Sequence, residues 1–150
     1  MRGGEGTVTG AESLPDPEGV NTQTILVVDD REEVRELAAR MLQRVGYATL
    51  KAGNGEKALA LFRQHRRRIG LVLTDVRMPG MSGFELVKRI REEGGDLPVL
   101  YMSGYLSMAP AIQYGPEKLD LDLGFLQKPF APKTLQEKVQ RLLAATPVAR

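Results

Sequence analysis

Short apolar runs alternate with helical patterns through the middle of this 150-residue chain. The runs are almost uninterrupted by polar residues and lie at 25–28, 47–51, 71–74, 99–102 and 124–126. Strands that are apolar on both faces are typical of a parallel sheet with helices packed on each side. The alternation therefore predicts one α/β domain with a five-stranded parallel sheet.

Helix signals occupy the segments between these runs. The first segment has six apolar residues at the spacing of a single helical stripe: Val34, Leu37, Ala38, Met41, Leu42 and Val45. Asn54 is expected to cap a second helix, and Ser82 with Glu85 has the spacing of a capping box that opens a third. A last helix precedes the C-terminus, whereas residues 104–120 contain two prolines and show no clear pattern.

Composition excludes several classes of protein. The chain has no cysteine, which removes disulfides and thiolate chemistry and fits a reducing, cytoplasmic compartment. No apolar run approaches the length of a membrane span, and no signal-peptide pattern opens the chain. A net charge of +2 is too small to indicate nucleic-acid binding by itself. We interpret the arginine run at 66–68 as a solvated helix end.

The two ends of the chain differ from its middle. Residues 1–22 are rich in Gly, Glu, Pro and Thr without an apolar period, and they are expected to form a flexible tail or linker. Residues 146–150 are expected to fray. Residues 23–145 are expected to form the single folded domain.

Polar residues stand at the ends of four predicted strands. Asp29 and Asp30 end the first strand, Asp75 the third, Ser103 the fourth and Lys128 the fifth. Parallel strands bring their carboxyl ends to one edge of the sheet, where ligands bind. Three carboxylates at one edge bind a cation or stay partly protonated, and Mg²⁺ suits carboxylates, waters and phosphate oxygens. The set is therefore complementary to a phosphoryl group on one carboxylate.

Four segments carry a family resemblance: ILVVDD, LVLTDVRMPGMSGFEL, YMSG and FLQKPF. In order and separation they resemble the signature blocks of the receiver domain of two-component response regulators, over about residues 23–145. The resemblance implies a flavodoxin-like (βα)₅ sandwich with strand order 2-1-3-4-5. It also implies a phosphoacceptor signalling domain rather than an enzyme that turns over outside substrates.

The resemblance assigns roles to the acidic residues. Asp75 is the implied phosphoacceptor, and Mg²⁺ is the implied cofactor. Asp30 and Asp75 are implied metal ligands together with the backbone carbonyl of Arg77. Asp29 is expected to hold the metal directly or through water.

The resemblance also covers the residues around the phosphoryl group. Ser103 and Lys128 are expected to contact its oxygens, and a cis Lys128-Pro129 bond is implied. Ser103 and Phe125 are the expected switch residues, but Phe125 replaces the tyrosine that many receivers carry. The long connection between 103 and 128 makes the chain most similar to C-terminal receivers of hybrid sensor histidine kinases. The implied partner is a histidine kinase or histidine phosphotransfer domain, and fusion to a kinase in a longer protein would fit. No direct nucleic-acid contact is expected.

Two alternatives remain beside this reading. A Mg²⁺-dependent phosphatase or phosphotransferase of the haloacid dehalogenase type also uses a strand-end aspartate, but it needs a second acid where this chain has Arg77. The second alternative is a degenerate receiver that binds partners without phosphorylation. It is disfavoured because all five site positions are retained. A dinucleotide-binding module is disfavoured because no GxGxxG follows the first strand.

Overall fold

The computed structural model describes residues 23–104 and 124–145. The strands are β1 (Thr24–Val28), β2 (Ala48–Ala52), β3 (Ile69–Asp75), β4 (Val99–Ser103) and β5 (Phe125–Gln127). The helices are α1 (Glu32–Gln43), α2 (Gly55–His65), α3 (Gly83–Glu92) and α4 (Pro132–Ala145). The expected tails at 1–22 and 146–150 lie outside the described residues, as does nearly all of the segment at 104–120.

The five strands form one parallel sheet in the order β2-β1-β3-β4-β5. This confirms the predicted fold class and strand order. The chain runs outward from β1 to β2 and then crosses to β3 on the other side. The reversal of direction between β1 and β3 leaves a crevice beyond their carboxyl ends.

Each central strand contributes alternate side chains to two apolar layers. Ile25 and Val27 of β1 pack in the layer that holds α1 and α4, whereas Leu26 and Val28 pack in the layer that holds α2 and α3. Side chains on a strand point to opposite faces in turn, so a sheet covered on both faces needs apolar residues at every position. This requirement explains the almost uninterrupted apolar runs of the sequence.

The predicted apolar stripe of the first helix is only partly buried. Ala38 and Leu42 are fully buried, but Leu37 and Val45 each keep 48% of their surface exposed. The expectation of one continuous stripe was therefore wrong at these two positions. Val45 lies beyond the end of α1, in the turn that Gly46 completes with a φ of 100°. Leu37 faces a cleft rather than the sheet.

The predicted helix caps are present. The Asn54 side chain accepts a hydrogen bond from the Lys57 backbone N–H at 2.8 Å. Ser82 and Glu85 form both hydrogen bonds of a capping box. Capping fixes where a helix begins, because it satisfies backbone N–H groups that have no partner in the first turn. The start of α3, and with it the loop after β3, is set in this way.

The arginine run at the end of α2 is engaged within the domain. Arg63 forms a two-oxygen ion pair with Glu93, and Arg66 donates to the Glu93 backbone carbonyl at 2.6 Å. The Arg66 guanidinium also lies 4.9 Å from the centre of the Phe62 ring. These contacts agree with the interpretation of a helix end. Among the described residues, no helix combines the length and apolar character needed to cross a bilayer.

Candidate functional site

Three carboxylates converge at the carboxyl edge of the sheet, as the strand ends predicted. Asp29 follows β1, Asp75 ends the adjacent strand β3, and Asp30 begins the loop to α1. Asp29 and Asp75 are buried, whereas Asp30 is exposed to the cleft. Oxygen atoms of all three lie within 4.8 Å of one another. Because adjacent strands are spaced at about 4.8 Å, the pairing of β1 with β3 brings Asp29 and Asp75 close together.

Lys128 is the cation of this cluster. Its Nζ donates to Asp29 Oδ2 at 2.8 Å and lies 3.3 Å from Asp75 Oδ1. The Lys128 backbone N–H donates to the Ser103 carbonyl at 2.8 Å and so continues the pairing of β4 with β5. The Lys128-Pro129 bond is cis, as the resemblance implied. The Lys128 ammonium therefore offsets part of the negative charge of the three neighbouring carboxylates.

Burial raises the pKa of Asp75 to about 6. Loss of contact with water is the main cause, because an ionised carboxylate is poorly solvated in this crevice. The Lys128 ammonium lowers the pKa, and the charges of Asp29 and Asp30 raise it. At neutral pH the Asp75 carboxylate is ionised, with lone pairs available to a metal or an electrophile.

The remaining predicted site residues divide into two groups. Ser103 and Arg77 line the same cleft as Asp75, and Ser103 is almost wholly buried at the end of β4. Phe125 does not line the cleft. It is 9% exposed and belongs to the apolar layer that also contains Tyr101, whose ring lies 5.0 Å from that of Phe84. Sequence reasoning did not single out this pair of aromatic rings.

The cleft is a cavity of about 760 Å³ with acidic and apolar parts. Val34 and Leu37 of α1 line one side, and Pro129 and Phe130 line the other. The sequence pattern assigned Val34 and Leu37 to the core stripe, so this rim was missed. Apolar surface beside a polar centre is typical of a site that receives another molecule.

The loop after β1 has two further contacts that the sequence did not reveal. The Arg31 backbone N–H donates to Asp29 Oδ1 at 2.8 Å, and Arg35 Nη1 donates to the Asp29 carbonyl at 2.9 Å. No spacing rule distinguishes Arg35 from the other cations of α1. Its partner is a backbone carbonyl, which every residue carries.

The donor set fits a small, hard divalent cation. Carboxylate oxygens are preferred ligands of Mg²⁺, which binds through one or two carboxylates and keeps several waters. The cluster offers such oxygens from two rigid strand ends, with one edge open to the cleft. Asp29, Asp30 and Asp75 are the residues that would hold the ion, and the site contains neither a thiolate nor an imidazole that would favour a softer metal.

Comparison with known proteins agrees with this geometry. Residues 25–140 match the model of the response regulator receiver domain. The chain is 32% identical over 130 residues to the probable transcriptional regulator ycf27 of Cyanophora paradoxa, covering 85% of this chain and 51% of that protein. It is 34% identical over 120 residues to the sensor kinase CckA of Brucella abortus (strain 2308), covering 80% of this chain and 12% of that protein. The chain thus spans about half of one relative and far less of the other.

A solved structure matches over the full domain. It is the response regulator protein TrrA from Thermotoga maritima in complex with Mg(2+)-BeF, at 33% identity and a TM-score of 0.68. The match covers 81% of this chain and 99% of that one. Sequence family, fold and the acidic strand-end cluster agree, and the chain belongs to the family of response regulator receiver domains of two-component signalling.

Proposed function

We propose that Asp75 accepts a phosphoryl group from the phosphohistidine of a histidine kinase or histidine phosphotransfer domain, and that the reaction requires Mg²⁺. The observation that carries the proposal is the position of Asp75. It ends a central strand at the crevice, beside Lys128 Nζ at 3.3 Å and within 4.8 Å of two other carboxylates. A cleft open to solvent gives a donor access to it.

The chemistry follows from these groups. An ionised Asp75 oxygen attacks phosphorus, a new O–P bond forms, and the N–P bond breaks with its electron pair moving to the imidazole nitrogen. Lys128 offsets negative charge on the phosphoryl oxygens, and the Ser103 hydroxyl donates to one of them. The three aspartates and the Arg77 carbonyl would hold Mg²⁺, which would supply further charge neutralisation at the phosphoryl oxygens.

The shape of the cleft favours a protein as the donor. The carboxylates lie beside an apolar rim formed by Val34, Leu37 and Phe130. Leu37 keeps 48% of its surface exposed, which leaves apolar area for a partner to cover. A small phosphate ester does not need this rim, whereas a helix that presents a phosphohistidine would bury it.

Intact-mass measurement after treatment with acetyl phosphate and Mg²⁺ tests the phosphoacceptor. The wild type is expected to gain one phosphoryl group, and Asp75→Asn none. Asp96→Asn is a matched control, since Asp96 is an exposed acid that precedes β4 at the opposite edge of the sheet. Equal phosphate gain by Asp75→Asn would show that the assignment is wrong.

Calorimetric titration tests the metal. Asp30→Ala removes one of three clustered carboxylates, and with it a ligand oxygen and a full negative charge that would hold the doubly charged ion. We expect a large loss of Mg²⁺ affinity. Unchanged binding by this variant would remove the metal from the proposal.

Signal output is proposed to depend on Ser103 and Phe125. A phosphoryl group on Asp75 attracts the Ser103 hydroxyl, and movement of Ser103 changes the packing behind β4. Phe125 is already buried and has no hydroxyl, so we expect the change to spread by repacking rather than by a new hydrogen bond. The segment in which we expect it is residues 103–127, most of which lie outside the described residues. Amide hydrogen exchange with and without beryllofluoride tests this. Changes confined to the acidic cluster would contradict it.

Turnover of outside substrates is not part of the proposed function. Arg77 occupies the position two residues after Asp75, where a phosphatase of the haloacid dehalogenase type carries its second acid. The domain is therefore expected to hydrolyse no generic phosphate ester in the presence of Mg²⁺. Catalytic hydrolysis that depends on Asp75 would favour the phosphatase instead.

A further inference from the structure

We infer that Arg35 is a positioning residue of the acidic site: its guanidinium orients the peptide unit between Asp29 and Asp30 and thereby aims Asp30 at the bound cation. The inference rests on the proposed function of the cluster. It starts from one contact, the hydrogen bond from Arg35 Nη1 to the Asp29 carbonyl oxygen at 2.9 Å.

Every polar atom of Asp29 forms a hydrogen bond. Its backbone N–H donates to the Ala52 carbonyl at 3.2 Å, and its two carboxylate oxygens accept from the Arg31 N–H and from Lys128 Nζ, each at 2.8 Å. The carbonyl oxygen is the remaining group, and Arg35 takes it. The rotation of the peptide plane that leads into Asp30 is therefore set by the guanidinium.

Asp30 depends on this backbone control. Its side chain is exposed, and within residues 23–104 and 124–145 no hydrogen bond or ion pair to it is found. A carboxylate without such contacts points where its backbone directs it. Because a carbonyl cannot rotate without turning the rest of its peptide plane, loss of the Arg35 contact lets Asp30 drift from the other two acids.

The loop after β2 leaves room for the guanidinium. A Cβ atom at Gly53 would lie 3.0 Å from Arg35 Nη1 and 3.7 Å from Cζ. The backbone at Gly53 does not have the positive φ that favours glycine, unlike Gly46. Glycine at 53 is therefore explained by space, and the guanidinium lies in a slot between α1 and this loop.

If Arg35 has only a structural role, its replacement should change stability but not Mg²⁺ affinity. Glu36 offers a matched control for this possibility. Glu36, the next residue of α1, binds Lys51 of β2 at 2.9 Å. That pair also joins α1 to β2, but the partner of Glu36 is the Lys51 ammonium and not the Asp29 carbonyl. If Arg35 only fastens α1 to the sheet, Arg35→Met and Glu36→Gln must affect the domain in the same way.

The test is the Mg²⁺ dissociation constant by calorimetry, together with thermal unfolding in EDTA, for the wild type and the two variants. Residues that orient metal ligands typically change metal affinity 10- to 100-fold, so we expect Arg35→Met to weaken Mg²⁺ binding about tenfold. Arg35→Lys, which keeps a donor, should restore part of the loss. Glu36→Gln should lower the unfolding temperature without changing the dissociation constant.

An unchanged dissociation constant in Arg35→Met, or equal changes in Arg35→Met and Glu36→Gln, would overturn the inference. If Arg35→Met does not fold, Gly53→Ala gives a milder form of the same test, because a Cβ atom 3.0 Å from Arg35 Nη1 pushes the guanidinium by a few tenths of an ångström and weakens its hydrogen bond to the Asp29 carbonyl. An unchanged dissociation constant in that variant would then overturn the inference. Asp30→Ala, measured in the same series, distinguishes a failure of the proposed metal site from a failure of the role proposed for Arg35. If Asp30→Ala keeps full Mg²⁺ affinity, the proposed metal site itself fails; if it loses affinity and Arg35→Met does not, only the role of Arg35 fails.

Discussion

Replacement of Asp75 by Asn is expected to stabilise the domain in the absence of metal. The carboxylate is buried between two other acids, and burial raises its pKa from 3.8 to about 6. A raised pKa means that the ionised form is disfavoured in the folded state relative to the unfolded chain. Asn has nearly the same shape and carries no charge, so it removes this cost.

The size of the expected gain in unfolding free energy follows from the pKa of Asp75. A rise of about two units corresponds to about 3 kcal/mol, at 1.36 kcal/mol for each unit. Water enters the open cleft and screens the carboxylate, so we halve this figure to about 1.5 kcal/mol. That is a substantial share of the roughly 5–15 kcal/mol by which a domain of this kind is stable.

The effect has a defined dependence on pH. Since the folded-state pKa is raised, protonation of Asp75 favours the folded state. The stability that this group contributes is fully present below the unfolded pKa near 3.8 and is lost as the pH rises through about 6. The advantage of Asp75→Asn is therefore full at pH 7.5, about half at pH 5 and about a fifth at pH 4.

Urea denaturation of both proteins in EDTA, at pH 7.5, 5 and 4, measures the difference. Other acids titrate in the same range, but they are common to both proteins and cancel. Added Mg²⁺ should reverse the order by stabilising the wild type alone. The reasoning is refuted if Asp75→Asn is no more stable than the wild type at pH 7.5, or if its advantage is the same at every pH.

Two further substitutions test the packing around the site. Lys128→Met leaves the fully buried Asp29 without its ammonium partner, and we expect a loss of about 3 kcal/mol in metal-free urea denaturation. A loss that persists unchanged in an Asp29→Asn background would contradict this cause. Gly83→Ala places a methyl group 2.2 Å from the Asp75 carbonyl oxygen, and we expect it to cost about 2 kcal/mol or more. Gly104→Ala is the control, because no atom of the described part of the chain lies within 4 Å of a Cβ at that position; equal losses in the two variants would argue against the steric account.

The fold class, and the residues that meet at the carboxyl edge of the sheet, could be predicted from the amino-acid sequence alone. Five apolar runs separated by helical patterns are typical of a parallel sheet covered on both faces, because the helices that connect parallel strands pack on both sides of the sheet. Once the strands are parallel, Asp29, Asp75, Ser103 and Lys128 must meet at one edge, since each ends its strand. The caps at Asn54 and Ser82 are also local, and both are present.

The contacts between side chains at that edge depend on the folded domain and could not be predicted from local sequence. Lys128 is shared between Asp29 and Asp75, and the Asp75 pKa follows from burial that no local pattern encodes. Leu37 has the sequence spacing of a core residue, yet it is partly exposed and lines the cleft. A helix that packs on a sheet buries only the part of its apolar face that meets the sheet. Arg35 donates to a backbone carbonyl six residues earlier, and it can do so because the turn between β1 and α1 brings the two together beside Gly53. A carbonyl has no sequence signature, so only the folded chain selects this contact.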